Sequence, residues 1–374
     1  MRRLLILTIL LIVYGSLYPW HFDFAGGRNP IIVLLDSWPA VWDRFALRDG
    51  IVNVVLYMPL GTAAMCVLAR RFPGGLAFAP VIIGGAALSV AMELTQVYIP
   101  LRVCSLFDVV SNTAGTAIGA ALAVGFGLTR PREARGGRWR LGEWLLLIAF
   151  AGYQLYPFFP VVSTTRLGQA LAQLAAADGF VWHEVWCCGA EWFAAMLLVE
   201  AVGESLWAPV IVGALAARTV VVTRTVALHE VLGAVLAAIA WMAVRRGHAR
   251  LRVGVWWMAS ALALRELAPF HFTASANPFT WIPFVPTFDS ERQSALVILF
   301  RKAFDYAAMV WLLRERGVSY LRAGVGLALA LAVLEAVQRY LPGRTPETTD
   351  AVLASLMTLI LWTLHNFERQ RGLA

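Results

Sequence analysis

The chain has 374 residues, of which 60% are hydrophobic and only 14% are charged, and its mean hydropathy is +0.69. Soluble proteins usually carry roughly 25% charged residues, so this composition excludes an ordinary soluble domain. It predicts an all-α protein that crosses a membrane many times, because helices are the common way to satisfy backbone groups in lipid. The net charge of +8 requires no nucleic-acid partner, since arginine-rich inner loops facing anionic lipid account for it.

About twelve segments are apolar and long enough to be transmembrane helices. We place them at residues 4–18, 51–69, 76–98, 107–128, 141–159, 184–202, 206–222, 226–244, 253–269, 295–313, 323–341 and 349–365. Arginine is concentrated in the loops that would be cytoplasmic if the N-terminus is inside, so both termini are predicted to be cytoplasmic. No small-residue cleavage site follows the first segment, which favours a retained helix over a signal peptide.

Residues 93–112 carry a polar pattern between two of these predicted helices. Glu93 and Gln96 share one helix face, Arg102 lies in the turn, and Asp108 and Asn112 share a face of the next helix. Gly115 and Gly119 continue that second face and would allow a close helix contact. The pattern therefore predicts two polar faces that meet across a short turn.

The same pattern returns near the C-terminus with identical spacing, and a degenerate copy lies between the two. The late copy consists of Glu335, Gln338, Arg344 and Asp350, and the middle one keeps only Arg224 and Glu230. A regular internal pattern of this kind indicates repeated structural units. We predict three parallel four-helix repeats, at residues 1–128, 141–246 and 251–367, of which the first is the best preserved.

The second helix of each predicted repeat has one matched polar position. These positions are Asn53, Glu191 and Lys302, and Lys302 is the only lysine in the chain. An ammonium group at membrane depth is costly unless an acid is close, so we expect a structural salt bridge between Lys302 and Glu335.

The polar residues allow a structural and a functional interpretation. They could form an ion-pair staple between helices, because a carboxylate such as Glu93 is expensive in the membrane unless it is paired. Alternatively they could line a pocket open to the outside, in which Arg102 binds phosphate or carboxylate. The histidines and cysteines show no metal-ligand spacing, and no nucleotide-binding or common hydrolase motif is present, so no metal or cofactor is predicted.

Three stretches of the first repeat resemble the VanZ-like family of bacterial membrane proteins. They are DGIVNVVLYMPLG at 49–61, ELTQ at 93–96 and RVCSLFDVVSNTAGTAIG at 102–119. The resemblance covers residues 1–128 well and 251–367 more loosely, with Ala354 and Met357 replacing Asn112 and Gly115. It implies a protein of the bacterial cytoplasmic membrane and cell envelope, related to one associated with teicoplanin resistance. By resemblance, the family's polar positions are Asn53, Glu93, Gln96, Arg102, Asp108 and Asn112.

We therefore expect an envelope protein that binds a lipid-linked glycan, such as a peptidoglycan precursor, or a phosphorylated lipid head group from the outside. A transporter or lipid flippase is an alternative, although the inner halves of the predicted helices are largely apolar. A membrane enzyme acting on a head group is another, with Glu93 as a possible base. Membrane lipids are the expected surroundings, and binding is preferred over catalysis because the family implies no settled reaction.

Overall fold

A computed structural model describes residues 1–24, 29–39, 44–72, 74–100, 102–129, 140–156, 180–203, 227–244, 247–285 and 292–370, with 168, 172 and 214 in addition. Within these ranges the fold is all-α, with twelve α-helices and one short 3-10 helix, Gly74–Ala77. The helices are α1 Arg2–Leu17, α2 Pro30–Leu35, α3 Arg44–Leu68, α4 Phe78–Gln96, α5 Leu106–Gly125, α6 Leu141–Leu155, α7 Trp182–Ala201, α8 Leu228–Ala243, α9 His248–Leu267, α10 Arg292–Glu315, α11 Tyr320–Gln338 and α12 Thr349–Gln370.

The chain divides into two compact units. The first contains residues 1–138 with 369–373, and the second contains residues 139–368 with 374. The second unit holds both of the later repeats predicted from the sequence. The repeat boundaries themselves stay a prediction.

In the first unit, α3 packs most extensively against α5, while α4 also packs against α5. Glycines make the α3–α5 contact possible. A Cβ atom would lie 1.9 Å from the Thr116 carbonyl oxygen at Gly61, 2.3 Å from that of Val54 at Gly115, and 2.0 Å from that of Met58 at Gly119. The predicted role of Gly115 and Gly119 in close packing is thus confirmed, although their partner is α3.

In the second unit, α7 packs against α8 and α9, and α10 packs against α6, α9 and α11. Buried aromatic and aliphatic side chains fill these contacts, and Phe150 of α6 stacks edge-on against Trp192 of α7 at 4.9 Å between ring centroids. Charged residues are buried among them, including Glu191 and Asp305.

Five of the described helices are long and apolar enough to cross a membrane, so the protein is a multi-pass membrane protein. They span Asp49–Leu68, Gly75–Gln96, Leu106–Gly125, Tyr320–Gln338 and Thr349–Gln370. Helices α6 and α8 are apolar but shorter. Helices α1, α7, α9 and α10 coincide with predicted spans, yet α9 and α10 contain several charged residues each. Apart from residue 214, the predicted span 206–222 lies outside the described residues.

Candidate functional site

The connector between α4 and α5 ties together three helix ends. Glu93 Oε2 accepts a hydrogen bond of 2.8 Å from the backbone N–H of Ser105, which precedes α5. Gln96 Nε2 donates to the Ser16 carbonyl at 2.9 Å. Arg102 donates through Nε to the Tyr18 carbonyl and through Nη2 to the Gly15 carbonyl, both at 2.9 Å. These side chains thus satisfy carbonyls at the end of α1 and an N–H at the start of α5, which a helix leaves without partners.

The connector between α11 and α12 makes the same bonds in the second unit. Glu335 Oε2 accepts from the N–H of Glu347 at 2.8 Å, and Gln338 Nε2 donates to the Glu266 carbonyl at 3.1 Å. Arg344 donates through Nε to the Ala268 carbonyl at 2.8 Å and through Nη2 to the Arg265 carbonyl. The matched glutamate, glutamine and arginine therefore serve the same main-chain positions at both connectors.

A buried polar cluster lies among α3, α4 and α5 of the first unit. Asn112 Nδ2 donates to Ser89 Oγ at 2.9 Å, whereas Asn112 Oδ1 is buried without a hydrogen-bond partner among the described residues. The Tyr57 hydroxyl is also buried, within electrostatic reach of Glu93 and Asp108. Ser89 is its close neighbour, but the two hydroxyls do not meet hydrogen-bond geometry. Glu93 itself is only 3% exposed. The cluster thus offers unsatisfied polar atoms next to a buried carboxyl group.

Two of the sequence-predicted residues, Asn53 and Asp108, are only half-buried. Asn53 is half-buried in α3, and it makes no hydrogen bond within the described part of the chain. Asp108 is half-buried in the first turn of α5, where its N–H donates to the capping Ser105 Oγ at 3.2 Å. Both remain predicted ligand contacts.

The second unit has a comparable cluster, built around Lys302. The expected salt bridge between Lys302 and Glu335 is wrong, because Lys302 Nζ lies 2.5 Å from Asp350 Oδ1. Glu335 instead accepts the backbone N–H of Glu347. Tyr306, one turn beyond Lys302, has a buried hydroxyl without a partner among the described residues, as does Tyr57 in the first unit.

Arg265 in α9 organises a group of buried charges that the sequence analysis missed. Its guanidinium lies 2.7 Å from Glu191 and 2.8 Å from Asp305, with Glu184 at 3.4 Å. Glu191, the matched polar position of the middle repeat, is therefore part of an ion-pair network. The sequence signal that could have revealed this network is the adjacent pair Arg265 and Glu266 inside a predicted span, because ionisable residues at membrane depth are rare without a role.

The degenerate middle copy keeps one capping contact. Glu230 is buried in the first turn of α8, and its Oε2 accepts a hydrogen bond of 3.0 Å from the N–H of Ala227. Arg224 lies outside the described residues, so its predicted place beside Glu230 stays a prediction.

A polar cavity of about 330 Å³ lies where α6 begins and where α10 and α12 end. Its lining includes Glu143, Arg314, Glu315, Tyr320 and Glu368. Glu368 accepts the N–H of Leu141 at 2.5 Å, and Glu143 accepts from Trp311 Nε1 at 3.4 Å. Polar groups therefore also lie at these helix ends, and the largely apolar character of the inner halves stays a prediction.

No group of three or more His, Cys, Asp or Glu side chains is arranged to hold a metal ion in the described ranges. Comparison with curated proteins and with solved structures found no match to this chain. Residues 4–127 match the model of the VanZ/LLP1 family. The matched segment contains the α4–α5 connector and the buried cluster of Tyr57, Glu93 and Asn112. Residues 4–127 are therefore a VanZ/LLP1 family domain, carried by a multi-pass membrane protein.

Proposed function

We propose that this is a protein of the bacterial cytoplasmic membrane whose VanZ/LLP1 domain binds the head group of a lipid-linked glycan, such as a peptidoglycan precursor, from the outer side. The observation that carries the proposal is Asn112 Oδ1, a buried acceptor without a partner among the described residues, in a cluster with Glu93 and the Tyr57 hydroxyl. Buried polar groups normally have hydrogen-bond partners, and the exceptions point to a missing water or ligand.

The chemistry of these atoms favours a sugar over a phosphate. Asn112 Oδ1 and the Glu93 carboxyl accept hydrogen bonds, and the Tyr57 hydroxyl can accept or donate one. Hydroxyl and amide groups of a glycan supply the matching donors. Arg102, the predicted phosphate-binding residue, donates two hydrogen bonds to the carbonyls of Tyr18 and Gly15. We therefore assign Arg102 a positioning role and assign glycan contacts to the buried cluster.

We further propose that the chain contains three copies of one four-helix repeat, with the first copy carrying the binding function. Helices α4 and α11 have 19 residues each and end at matched glutamines. The residues that directly follow α1, α6 and α9 have nearly the same backbone conformation. Their φ and ψ values are −60° and 136° at Tyr18, −60° and 137° at Tyr156, and −62° and 140° at Ala268. Together with the matched bonds of Arg102 and Arg344, this supports a common origin.

Binding can be measured with the purified protein in lipid nanodiscs. The probes are a short-chain polyprenyl-diphosphate disaccharide, the same polyprenyl diphosphate without sugar, and phosphatidylglycerol. We expect the disaccharide lipid to bind most tightly. Asn112→Ala, which copies the residue at the matched position 354, should weaken that binding about tenfold, the effect of losing roughly one hydrogen bond.

The matched control is Thr113→Ala, since the Thr113 hydroxyl donates only to the Val109 carbonyl of its own helix. This variant should bind as the native protein does. Equal binding by Asn112→Ala, or equal affinity for the probes with and without sugar, would contradict the proposal. A related cellular test is whether the native protein raises tolerance to teicoplanin while Asn112→Ala, at equal abundance, does not.

A further inference from the structure

The second unit contains more buried acidic groups than cations to balance them. In its described part, seven carboxyl groups and four cationic side chains lie in one continuous region of α7 and α9–α12. The acids are Glu184, Glu191, Glu266, Asp305, Glu335, Glu347 and Asp350, and the cations are Arg265, Arg301, Lys302 and Arg344. Ionised carboxylates in excess are strongly disfavoured away from water. The region therefore needs additional positive charge.

The excess is concentrated around Lys302. The acids that face it are Glu266 from α9, Glu335 from α11, Glu347 from the following loop and Asp350 from α12. Lys302 contacts only Asp350 directly, and Asp305, on the same helix as Lys302, is already bound to Arg265. Arg344 directs its donors to the carbonyls of Arg265 and Ala268.

The other donors around Lys302 are neutral. Glu266 Oε2 accepts from Gln338 at 2.5 Å, Glu347 accepts from the Thr349 hydroxyl, and Glu335 accepts a backbone N–H. A neutral donor satisfies one lone pair but leaves the net charge unchanged. Among the described side chains, the four acids around Lys302 are thus balanced by one ammonium group.

Two buried atoms here have no hydrogen-bond partner among the described residues. They are Asp350 Oδ2 and the Tyr306 hydroxyl, and Asp350 and Tyr306 are 1% exposed each. The carboxyl groups of Glu335 and Asp350 are close neighbours, and the Tyr306 hydroxyl is a second neighbour of Asp350. The Tyr306 hydroxyl has a single proton to donate, and two ionised carboxylates cannot hydrogen-bond to each other. A proton on one of the two carboxyl groups supplies the missing donor and removes one negative charge.

We infer that the Glu335–Asp350 pair is a proton-binding site, which holds one exchangeable proton at neutral pH beside Lys302 and Tyr306. A metal ion is a poorer fit, since the described acids form no metal-ligand group. Burial also raises the pKa of Glu347 in the adjacent loop. An intramembrane carboxyl that exchanges a proton is the element through which membrane proteins couple proton uptake to other steps.

Infrared spectroscopy of the purified protein in lipid nanodiscs tests this inference, because a protonated carboxyl has a C=O absorption that a carboxylate lacks. At neutral pH the native protein should show this band, and the band should shrink as the pH rises. Glu335→Gln keeps an acceptor for the Glu347 N–H but cannot hold the proton, so it should remove about one carboxyl's share of the band. Lys302→Met should enlarge the band, because the cluster then needs a second proton.

The control is Glu200→Gln, since the Glu200 side chain is 38% exposed and pairs with Arg250 at 3.3 Å; its band should match that of the native protein. All variants are compared only after they elute and melt as folded protein, and Asp350→Asn replaces Glu335→Gln if the latter does not fold. An unchanged band in the folded Glu335→Gln or Asp350→Asn variant would overturn the inference. A band that appears only when sodium is replaced by choline would also overturn it, in favour of a sodium site.

Discussion

Arg102 acts on the main chain at the C-terminal end of α1, where its Nε and Nη2 donate to the carbonyls of Tyr18 and Gly15. The geometry depends on the planar fork of the guanidinium, which presents two donors in fixed directions. A lysine has a single ammonium on a flexible stem and cannot hold both carbonyls in the same way. The structural role therefore requires arginine.

We predict that Arg102→Lys lowers the free energy of unfolding by about 1–3 kcal/mol, the range for losing a hydrogen bond to a charged group. Arg344→Lys should have a similar effect, since Arg344 serves the matched carbonyls. Thermal unfolding in detergent measures both. Arg71→Lys is the control, because Arg71 is exposed at the opposite end of the domain's helices.

If Arg102→Lys instead melts as the native protein but loses glycan-lipid binding, Arg102 contacts the ligand and the positioning role is wrong. The two results are separable because stability and binding are measured independently on the same preparation.

The sequence identified the connector residues but missed part of the site. Glu93, Gln96 and Arg102 were recognisable because the same residues recur near the C-terminus with the same spacing and no gap. Polar residues that recur in this way in an apolar sequence indicate a shared structural or functional role. Tyr57 was missed, since a tyrosine in an apolar span is usually a packing residue and only burial shows that its hydroxyl has no partner. The partner of Lys302 was also wrong, because several acids lay within reach and a linear pattern cannot rank them by direction.

At the level of helices, α3 and α5 meet at backbone contact distance through Gly61, Gly115 and Gly119. Thr62 adds a hydrogen bond between the helices, from its Oγ1 to the Gly119 carbonyl at 3.0 Å. Packing of small residues is a main source of helix association in lipid, where burial of apolar surface gives little advantage. This contact therefore fixes the helices that carry Tyr57 and Asn112.

Gly119→Leu should consequently destabilise the VanZ/LLP1 domain by about 1–3 kcal/mol or more, the cost of overpacking a tight contact. The clash is with the backbone oxygen of Met58, 2.0 Å from the new Cβ, and a backbone cannot move as a side-chain tip can. Gly125→Leu is the matched control, because nothing lies within 4 Å of a Cβ at that position of the same helix. Equal melting temperatures for the two variants would show that α3 and α5 can separate without loss.

Helix prediction was accurate where apolar runs are uninterrupted and less so where charges are buried. Helices α4 and α11 were placed within a few residues of the predicted spans because a long apolar segment has one obvious structure. Helix α9 contains Arg250, Arg252, Arg265 and Glu266; ion pairs now account for Arg250 and Arg265, and Glu266 accepts a hydrogen bond from the neutral amide of Gln338. Composition cannot separate a helix with internally paired charges from one that lies outside the membrane, so the count of twelve spans stays a prediction.

For the whole molecule, orientation is the property on which the proposed function depends, because a glycan-lipid site must open to the outer side. Arg314, Arg316 and Arg322 surround the turn between α10 and α11, whereas the loop after α9 that contains Ser275 has no basic residue before Arg292. The positive-inside rule therefore places the α10–α11 turn in the cytoplasm and Ser275 outside. Both Ser275 and Arg322 are exposed, so cysteines introduced there are accessible to reagents.

The last prediction is that a membrane-impermeant thiol reagent added to intact cells labels Ser275→Cys and leaves Arg322→Cys unlabelled until the cells are opened. The native background should be low because Cys66, Cys104, Cys187 and Cys188 are all buried. Cys104 is the native thiol in the α4–α5 connector, and burial, reinforced by Glu93 and Asp108, raises its pKa to about 11. Since the thiolate is the reactive form, Cys104 stays almost entirely protonated and slow to react at neutral pH. A cysteine-free parent in which all four are replaced by alanine removes the remaining ambiguity. Labelling of Arg322→Cys but not Ser275→Cys in intact cells would invert the topology, and it would place the α4–α5 connector and its buried cluster at the cytoplasmic side if the repeats are parallel.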